Sequence, residues 1–395
     1  MSEGKTIYIK TAAELAEYAP KIQKAKRIAV DLEFDRNRYR YGFNLCLMQI
    51  MAGETCYLID PLAEELDLSP IFQVLEDPTK PVVVFSFQED LMLFHLMGCK
   101  PTALFDIGVV IRLLDIPQSS LGVVLKEFLD MDVNKDAQKS NWFNRPLSPE
   151  QLSYAAQDVQ HLFPLMDLLT AKAKEADLTA WIKEENLYWE GMDYSNIQQD
   201  EYLKDKDKRD FTELQWHVFS ALMDMREELA KEKNQPSGRI LRTDYVKELI
   251  LKNGFRYWEK NRSSHPSVRD RTTKERFEAV MEKAMEEGAK LGLSATTTAK
   301  ERWSKEEFQA FKDEKRLREE RMDTLVSPIH KKISERVGEN ASTYIMSNRM
   351  AMDLLIGTVV SIPNYRIELI KEIAAELELD PSPLFHALEQ VEKSA

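Results

Sequence analysis

Through the first half of the chain, short runs of apolar and β-branched residues alternate with stretches of helical periodicity. That alternation restricts the fold more than any other feature, because it demands a mixed α/β sheet with helices packed on it. Strands are expected at 6–9, 27–33, 45–51, 55–60, 82–86 and 103–105, with helices at 12–18, 70–75 and 89–97 among them. Ser69 is the expected N-cap of the 70–75 helix. From Ser119 onward the pattern turns helical, and a long helix opens at Ser148-Pro149-Glu150, with Ser148 as cap and Pro149 in the first helical position.

Residues 199–209 are polar and charged with almost nothing to bury, and read as a linker or an exposed helix end. Beyond them everything reads as helix: 214–233 is amphipathic, 234–238 break it, and 243–251 begin another. A charged run over 298–321 then leads to a last helical block from about residue 325 to 391. With 395 residues, of which 43% are hydrophobic, the chain is long enough for two or three domains. The boundaries this suggests are an α/β domain at 1–198, a linker at 199–210, helical domains at 211–297 and 325–395, and a charged helical connector at 298–324.

A net charge of −13 argues against a protein that coats nucleic acid nonspecifically, since phosphate binding needs clustered Lys and Arg. The acid excess sits in the first 200 residues, which hold 19 Lys and Arg against 31 Asp and Glu. Such an excess is either a solvated surface or a carboxylate cluster. The sequence opens without an apolar segment of signal-peptide length and has no apolar run long enough to span a bilayer, so a cytoplasmic protein without membrane contact is expected. Cys46, Cys56 and Cys99 are the only cysteines, unpaired in spacing, and are expected to be reduced core thiols.

Three segments carry chemistry. The strand 27–34 places Asp31 and Glu33 on one face, two oxygen donors on a rigid support of the kind hard divalent cations require, although an isolated Asp-x-Glu also suits a solvated edge. Asp90 falls in the first turn of the helix after the 82–86 strand, where it serves the helix dipole or a metal. Tyr154 and Asp158 lie four apart on one helical face, with Ala155 and Ala156 permitting close packing beside them. That pair is either a core Tyr with its neighbour or the completion of a metal cage, the phenol orienting a water.

Taken in order, strand Asp-x-Glu, Asp after a second strand, and helical Tyr-x-x-x-Asp resemble the DEDDy group of 3′→5′ exonucleases on a ribonuclease-H-like fold. Asn44-Leu45-Cys46-Leu47-Met48-Gln49-Ile50 and the stretch Gln138 to Ser148, which includes Ser140-Asn141-Trp142-Phe143-Asn144-Arg145-Pro146-Leu147, are similar to segments of ribonuclease D. The resemblance covers about residues 5–175. Arg226, Glu227, Ala230 and Pro236 look like the start of an HRDC domain, and the block after 325, with Ile345 to Arg349, resembles a second, degenerate copy. Leu32, Phe85 and Ser153 depart from the family pattern without removing a metal ligand, and His161 reads as an ordinary helix residue. The resemblance implies a two-metal hydrolase using Mg²⁺ or Mn²⁺. Asp31, Glu33 and Asp158 would hold one ion, Asp31 would bridge to the second, Asp90 would reach that second ion, and Tyr154 would position the nucleophile. RNA 3′ ends, of tRNA precursors or other small RNAs, are the expected substrate, with DNA and a non-catalytic binding role as alternatives; a monomer is expected.

The most basic stretch, 252–276, includes Arg262, Arg269 and Arg271 with Tyr257 and Trp258 interleaved. It reads either as a phosphate track with an aromatic platform or as solvated charge around core aromatics.

Overall fold

The computed structural model describes residues 5–394 except 65, 134–136, 195–201, 253, 254, 256, 257, 259–265, 301–303 and 360. All six expected strands form: β1 (Lys5–Ile9), β2 (Ile28–Arg36), β3 (Phe43–Ala52), β4 (Thr55–Ile59), β5 (Val82–Val84) and β6 (Leu104–Asp106). They make one sheet in the order β1-β4-β3-β2-β5-β6. β4 runs parallel to β1 and antiparallel to β3, while β2, β5 and β6 run parallel. β2 is therefore an interior strand, and Ile28, Ala29 and Val30 at its start are fully buried.

The helices of this part are α1 (Ala12–Gln23), α2 (Ser69–Leu75), α3 (Gln88–Leu96), α4 (Ile107–Leu113), α5 (Leu121–Leu129), α6 (Pro149–Gln160), α7 (Leu162–Glu175) and α8 (Thr179–Glu190). α6 starts where Ser148 and Pro149 predict. The Ser148 hydroxyl accepts from Gln151 N at 3.2 Å, and the Gln151 side chain accepts from Ser148 N at 3.0 Å, a reciprocal cap. Ser69 is different: it is the first helical residue of α2 rather than its cap, because its amide and hydroxyl both bond Asp67 in the preceding turn. The three cysteines are buried and unpaired, as expected, and burial pushes the Cys56 and Cys99 thiols up to about 12.

The remaining helices are α9 (Glu213–Lys233), α10 (Ser237–Ile240), α11 (Thr243–Leu251), α12 (Arg271–Lys290), α13 (Lys305–Arg321), α14 (Ser327–Val337), α15 (Glu339–Ile345), α16 (Asn348–Ile356), α17 (Asn364–Glu376) and α18 (Ser382–Ser394). The chain divides into two compact units, one of residues 1–33, 45–195 and 308–395, the other of 34–44 and 196–307. The C-terminal helices thus group with the sheet, where the sequence reading drew a separate final domain. An apolar core accounts for most of this, since Ile329, Ile333, Ile345 and Ile370 share one cluster with Val109, Val110, Leu165 and Ile182, and a buried polar network joins it. Glu185 of α8, fully buried, accepts from Arg366 Nε at 2.6 Å, Tyr365 OH at 2.5 Å and Tyr344 OH at 2.8 Å.

The second unit is built on α9, α11 and α12, whose core includes Phe219, Leu222, Leu249, Trp258 and Phe277. Buried Arg226 on α9 bonds Glu227 at 2.8 Å and the Thr243 hydroxyl at 3.1 Å, and Ser237 donates to Glu227 at 2.6 Å. These contacts fasten the short α10 turn between α9 and α11. Within the expected linker, residues 205–210 form a 3-10 turn, held by Lys247 Nζ at 2.8 Å from Asp207 and 2.9 Å from Asp210. α13 is charged and largely exposed. No helix among the described residues is long and apolar enough to cross a membrane.

Candidate metal centre

Alternation along β2 puts Asp31 and Glu33 on the face covered by α6, where Ala155, Ala156 and Val159 share a core cluster with Ala29, Cys56 and Leu58. The small side chains of Ala155 and Ala156 let the helix approach the sheet, and Asp158 then meets the strand carboxylates. One oxygen from each of Asp31, Glu33 and Asp158 lies within 4.8 Å of the other two. Tyr154 lies one turn before Asp158, close enough for the two to perturb each other electrostatically, and its ring centroid is 6.1 Å from that of buried Trp142.

Asp90 stands outside this trio on α3 but is electrostatically linked to it. It is buried, and its Oδ1 has no hydrogen-bond partner among the described residues. A buried, unpartnered carboxylate oxygen is costly unless a proton or a cation meets it. The whole group shows the same stress. Burial lifts Asp31 to about 7. Burial and then the charge of Asp31 lift Asp158 to about 8, the Tyr154 hydrogen bond partly opposing them. Glu33 is held well above the carboxylate range by burial and by Asp31, Asp158 and Asp90, and Asp90 by burial and then Asp31. Burial and the neighbouring carboxylates also raise Tyr154, so its hydroxyl stays protonated.

Asp31, Glu33 and Asp158, with Asp90 electrostatically coupled to them, fit hard, oxygen-seeking divalent cations, which would take the place of those protons as counter-charge.

The presentation of Asp90 depends on residues that motif reasoning did not single out. Between β5 and α3 the chain turns through Ser86 in the left-handed region, φ +56°. The Asp106 carboxylate holds that turn, accepting from Ser86 N at 2.6 Å and Phe87 N at 3.1 Å while capping α4 through Gly108 N at 2.7 Å. Asp106 N in turn donates to the Asn186 side chain of α8 at 3.0 Å. Gly108 is required by closeness: a Cβ there would lie 2.5 Å from Ser86 Oγ. An Asp one residue ahead of an apolar helix was the available signal, but it announces a cap, not a second role.

The stretch before α6 is anchored by Arg145, which pairs with fully buried Asp60 at 2.6 Å and donates to the carbonyls of Cys46 at 2.8 Å and Trp142 at 2.7 Å. The departures from the family pattern are harmless here. Leu32 lies buried on the opposite face of β2, Phe85 packs against the core, and Ser153 is exposed. His161 is not inside a helix but forms the turn joining α6 to α7, half-buried, with its pKa lowered by that burial.

The basic stretch behaves unlike the expected platform at one position. Trp258 is 2% exposed, packs against Phe255, Tyr245 and Phe277, and donates its indole N–H to Val268 O at 3.2 Å. Neither ring face is open to a base, so Trp258 is a core residue. Arg262 and Tyr257 lie outside the described residues. Arg271 is exposed and pairs with Glu275 at 2.7 Å, and Arg269 precedes α12 half-exposed.

Residues 6–174, which contain every member of the carboxylate cluster, match the family model described as 3′-5′ exonuclease. Curated relatives carry the name ribonuclease D: the chain is 30% identical to that of Jannaschia sp. over 247 residues, 61% of this chain and 64% of the relative, and 32% identical to that of Pseudomonas paraeruginosa over 60% of this chain and 62% of the relative. The chain spans just under two thirds of the length of these relatives. The crystal structure of Escherichia coli RNase D superposes with a TM-score of 0.66 at 20% identity, covering 94% of this chain and 99% of that one. A protein from Bifidobacterium adolescentis gives 0.69 at 20% identity, over 98% and 100%. These two likenesses establish the fold.

Proposed function

We propose that the protein is a 3′→5′ exoribonuclease of ribonuclease D type that removes nucleotides from the 3′ ends of tRNA precursors or other small structured RNAs. The observation that carries this reading is the convergence of Asp31, Glu33 and Asp158 within 4.8 Å, with Tyr154 one helical turn before Asp158. Two divalent cations, Mg²⁺ or Mn²⁺, held by Asp31, Glu33, Asp158 and Asp90, would supply an activated water and offset the charge that builds on the scissile phosphate. The chain's own part is positional. Tyr154, kept protonated, donates to Asp158 and offers its oxygen lone pairs to a proton of the attacking water, aligning the water without acting as a base. Asp31 and Glu33, fixed on an interior strand, need no loop ordering before binding. The second unit is read as an HRDC-type helical module that contributes to RNA contact through Arg262, Arg269 and Arg271.

RNA rather than DNA is chosen on the name shared by the relatives. The test is a 5′-labelled single-stranded RNA and its DNA counterpart, each incubated with Mg²⁺ or Mn²⁺, with EDTA, and with Asp31→Asn protein. A ladder shortened from the RNA 3′ end, abolished by EDTA and by the substitution, is expected. Folded protein that hydrolyses neither strand under either metal would sink the reading.

A further inference from the structure

Residues 34–44 carry Arg36, Arg38 and Arg40 against Asp35 alone, inside the half of the chain with the acid excess. Asp35 is buried and committed to the loop's own backbone, its carboxylate accepting from Tyr39 N and Arg40 N, both at 3.1 Å. The turn is closed further by Asn37, whose side chain accepts from Gly42 N at 2.7 Å and whose amide donates to Gly42 O at 2.9 Å. Tyr41 N donates to the side chain of Asn234, at the end of α9, at 3.3 Å. A loop fastened at so many points holds its side chains in place before any ligand arrives.

Those side chains form an ordered set of cations and rings. The Arg38 guanidinium lies over the Tyr39 ring at 5.0 Å, and that of Arg36 lies over Phe43 at 5.5 Å. Arg38 and Arg40 are exposed and Tyr39 is half-exposed. Guanidinium groups match phosphate oxygens in a fixed fork, and arginine stacked on an aromatic ring loses little freedom on binding. Arg36 is the last residue of β2.

We propose that the 36–40 loop is a binding site for the phosphodiester backbone of single-stranded RNA, with Arg38 and Arg40 on phosphates and Tyr39 as a stacking surface. The assignment rests on the exonuclease reading for its choice of RNA.

The test uses the full chain carrying Asp31→Asn, so that RNA stays intact, and the anisotropy of a short 5′-fluorescein oligouridylate titrated at several salt concentrations in Mg²⁺. Each phosphate contact on a single strand contributes about 0.7 to the logarithmic salt slope. Adding R38Q and R40Q should make the slope shallower by about 1.4 and weaken binding roughly 25-fold at about 0.1 M salt. R349Q, which removes an exposed arginine of α16, controls for lost charge alone and should change affinity less than about threefold. A double variant indistinguishable from R349Q overturns the proposal. Failure of the two readings is separable by a parallel ladder assay on the native chain. Hydrolysis with loop-independent binding refutes this site alone, loop-dependent binding without hydrolysis upholds it and refutes the nuclease, and an Asp31→Asn parent that does not bind RNA refutes it outright.

Discussion

Replacing Asp158 with asparagine should make the metal-free protein more stable at alkaline pH while removing its response to divalent cations. Asp158 is 8% exposed and its proton is held to about 8, against 3.8 for an ordinary aspartate. Between those values the folded chain binds a proton that the unfolded chain releases. That contribution is therefore fully present below pH 3.8 and is lost as pH rises toward 8. The bare shift sets a ceiling of order 5 kcal/mol. Asp31 and Glu33 are only half-buried, so water and salt ions reach the cluster, and about 2 kcal/mol is the expected loss. Asparagine keeps an acceptor for Tyr154 but carries no charge. In EDTA at pH 8 its melting temperature should exceed the native one by about 2–4 °C, with the gap closing toward pH 4. Excess Mg²⁺ should raise the native protein and leave the variant nearly unmoved. Thermal melts at the two pH values, with EDTA or Mg²⁺, decide the matter. A variant less stable than the native chain at pH 8 in EDTA, or a gap independent of pH, would refute the repulsion argument.

Gly108→Ala should cost about 1–3 kcal/mol in urea denaturation and raise the Mg²⁺ concentration needed for half-maximal hydrolysis, because the added Cβ pushes on the turn that delivers Asp90; native values in both would contradict the role given to that turn. Arg366→Leu leaves Glu185 buried without its cation, and a loss of about 3–5 kcal/mol is expected, much of it recovered by adding Glu185→Gln. An equal loss in the single and double variants would show that the charge is not what matters. Trp258→Ala should open a core cavity costing about 3–5 kcal/mol, whereas Trp258→Phe should leave RNA affinity at its native value. A large drop in affinity for the Phe variant would restore the stacking role that burial denies.

Much of the α/β half was legible because its signals are local. Each strand is a short apolar run between polar breaks, and Ser148-Pro149 announces α6 within three residues, so Tyr154 and Asp158 could be placed on one helical face from spacing alone. Asp90 was recognisable as a ligand only by motif order. What aims it is Asp106, sixteen residues later in sequence, acting through the left-handed turn at Ser86, and no periodicity reports a side chain bonding a distant backbone. The C-terminal block was assigned to a separate domain for the same reason: the partners of Glu185 lie about 160–180 residues away, and helical patterning does not say which helix meets which. Trp258 shows the limit of composition, since a tryptophan among basic residues looks alike whether it faces water or a core.

The place of Asp158 in the last turn of α6 has an effect beyond supplying a ligand. The carboxyl end of a helix bears roughly half a negative charge, and here it adds to that of the clustered carboxylates. A field of that sign draws a cation and turns away a polyanion. On the proposed function, nucleic acid and divalent ion would then be thermodynamically linked at this site, each tightening the other's binding by the same factor. RNA affinity measured without metal would understate the affinity of the working protein, and metal affinity measured without RNA would do the same.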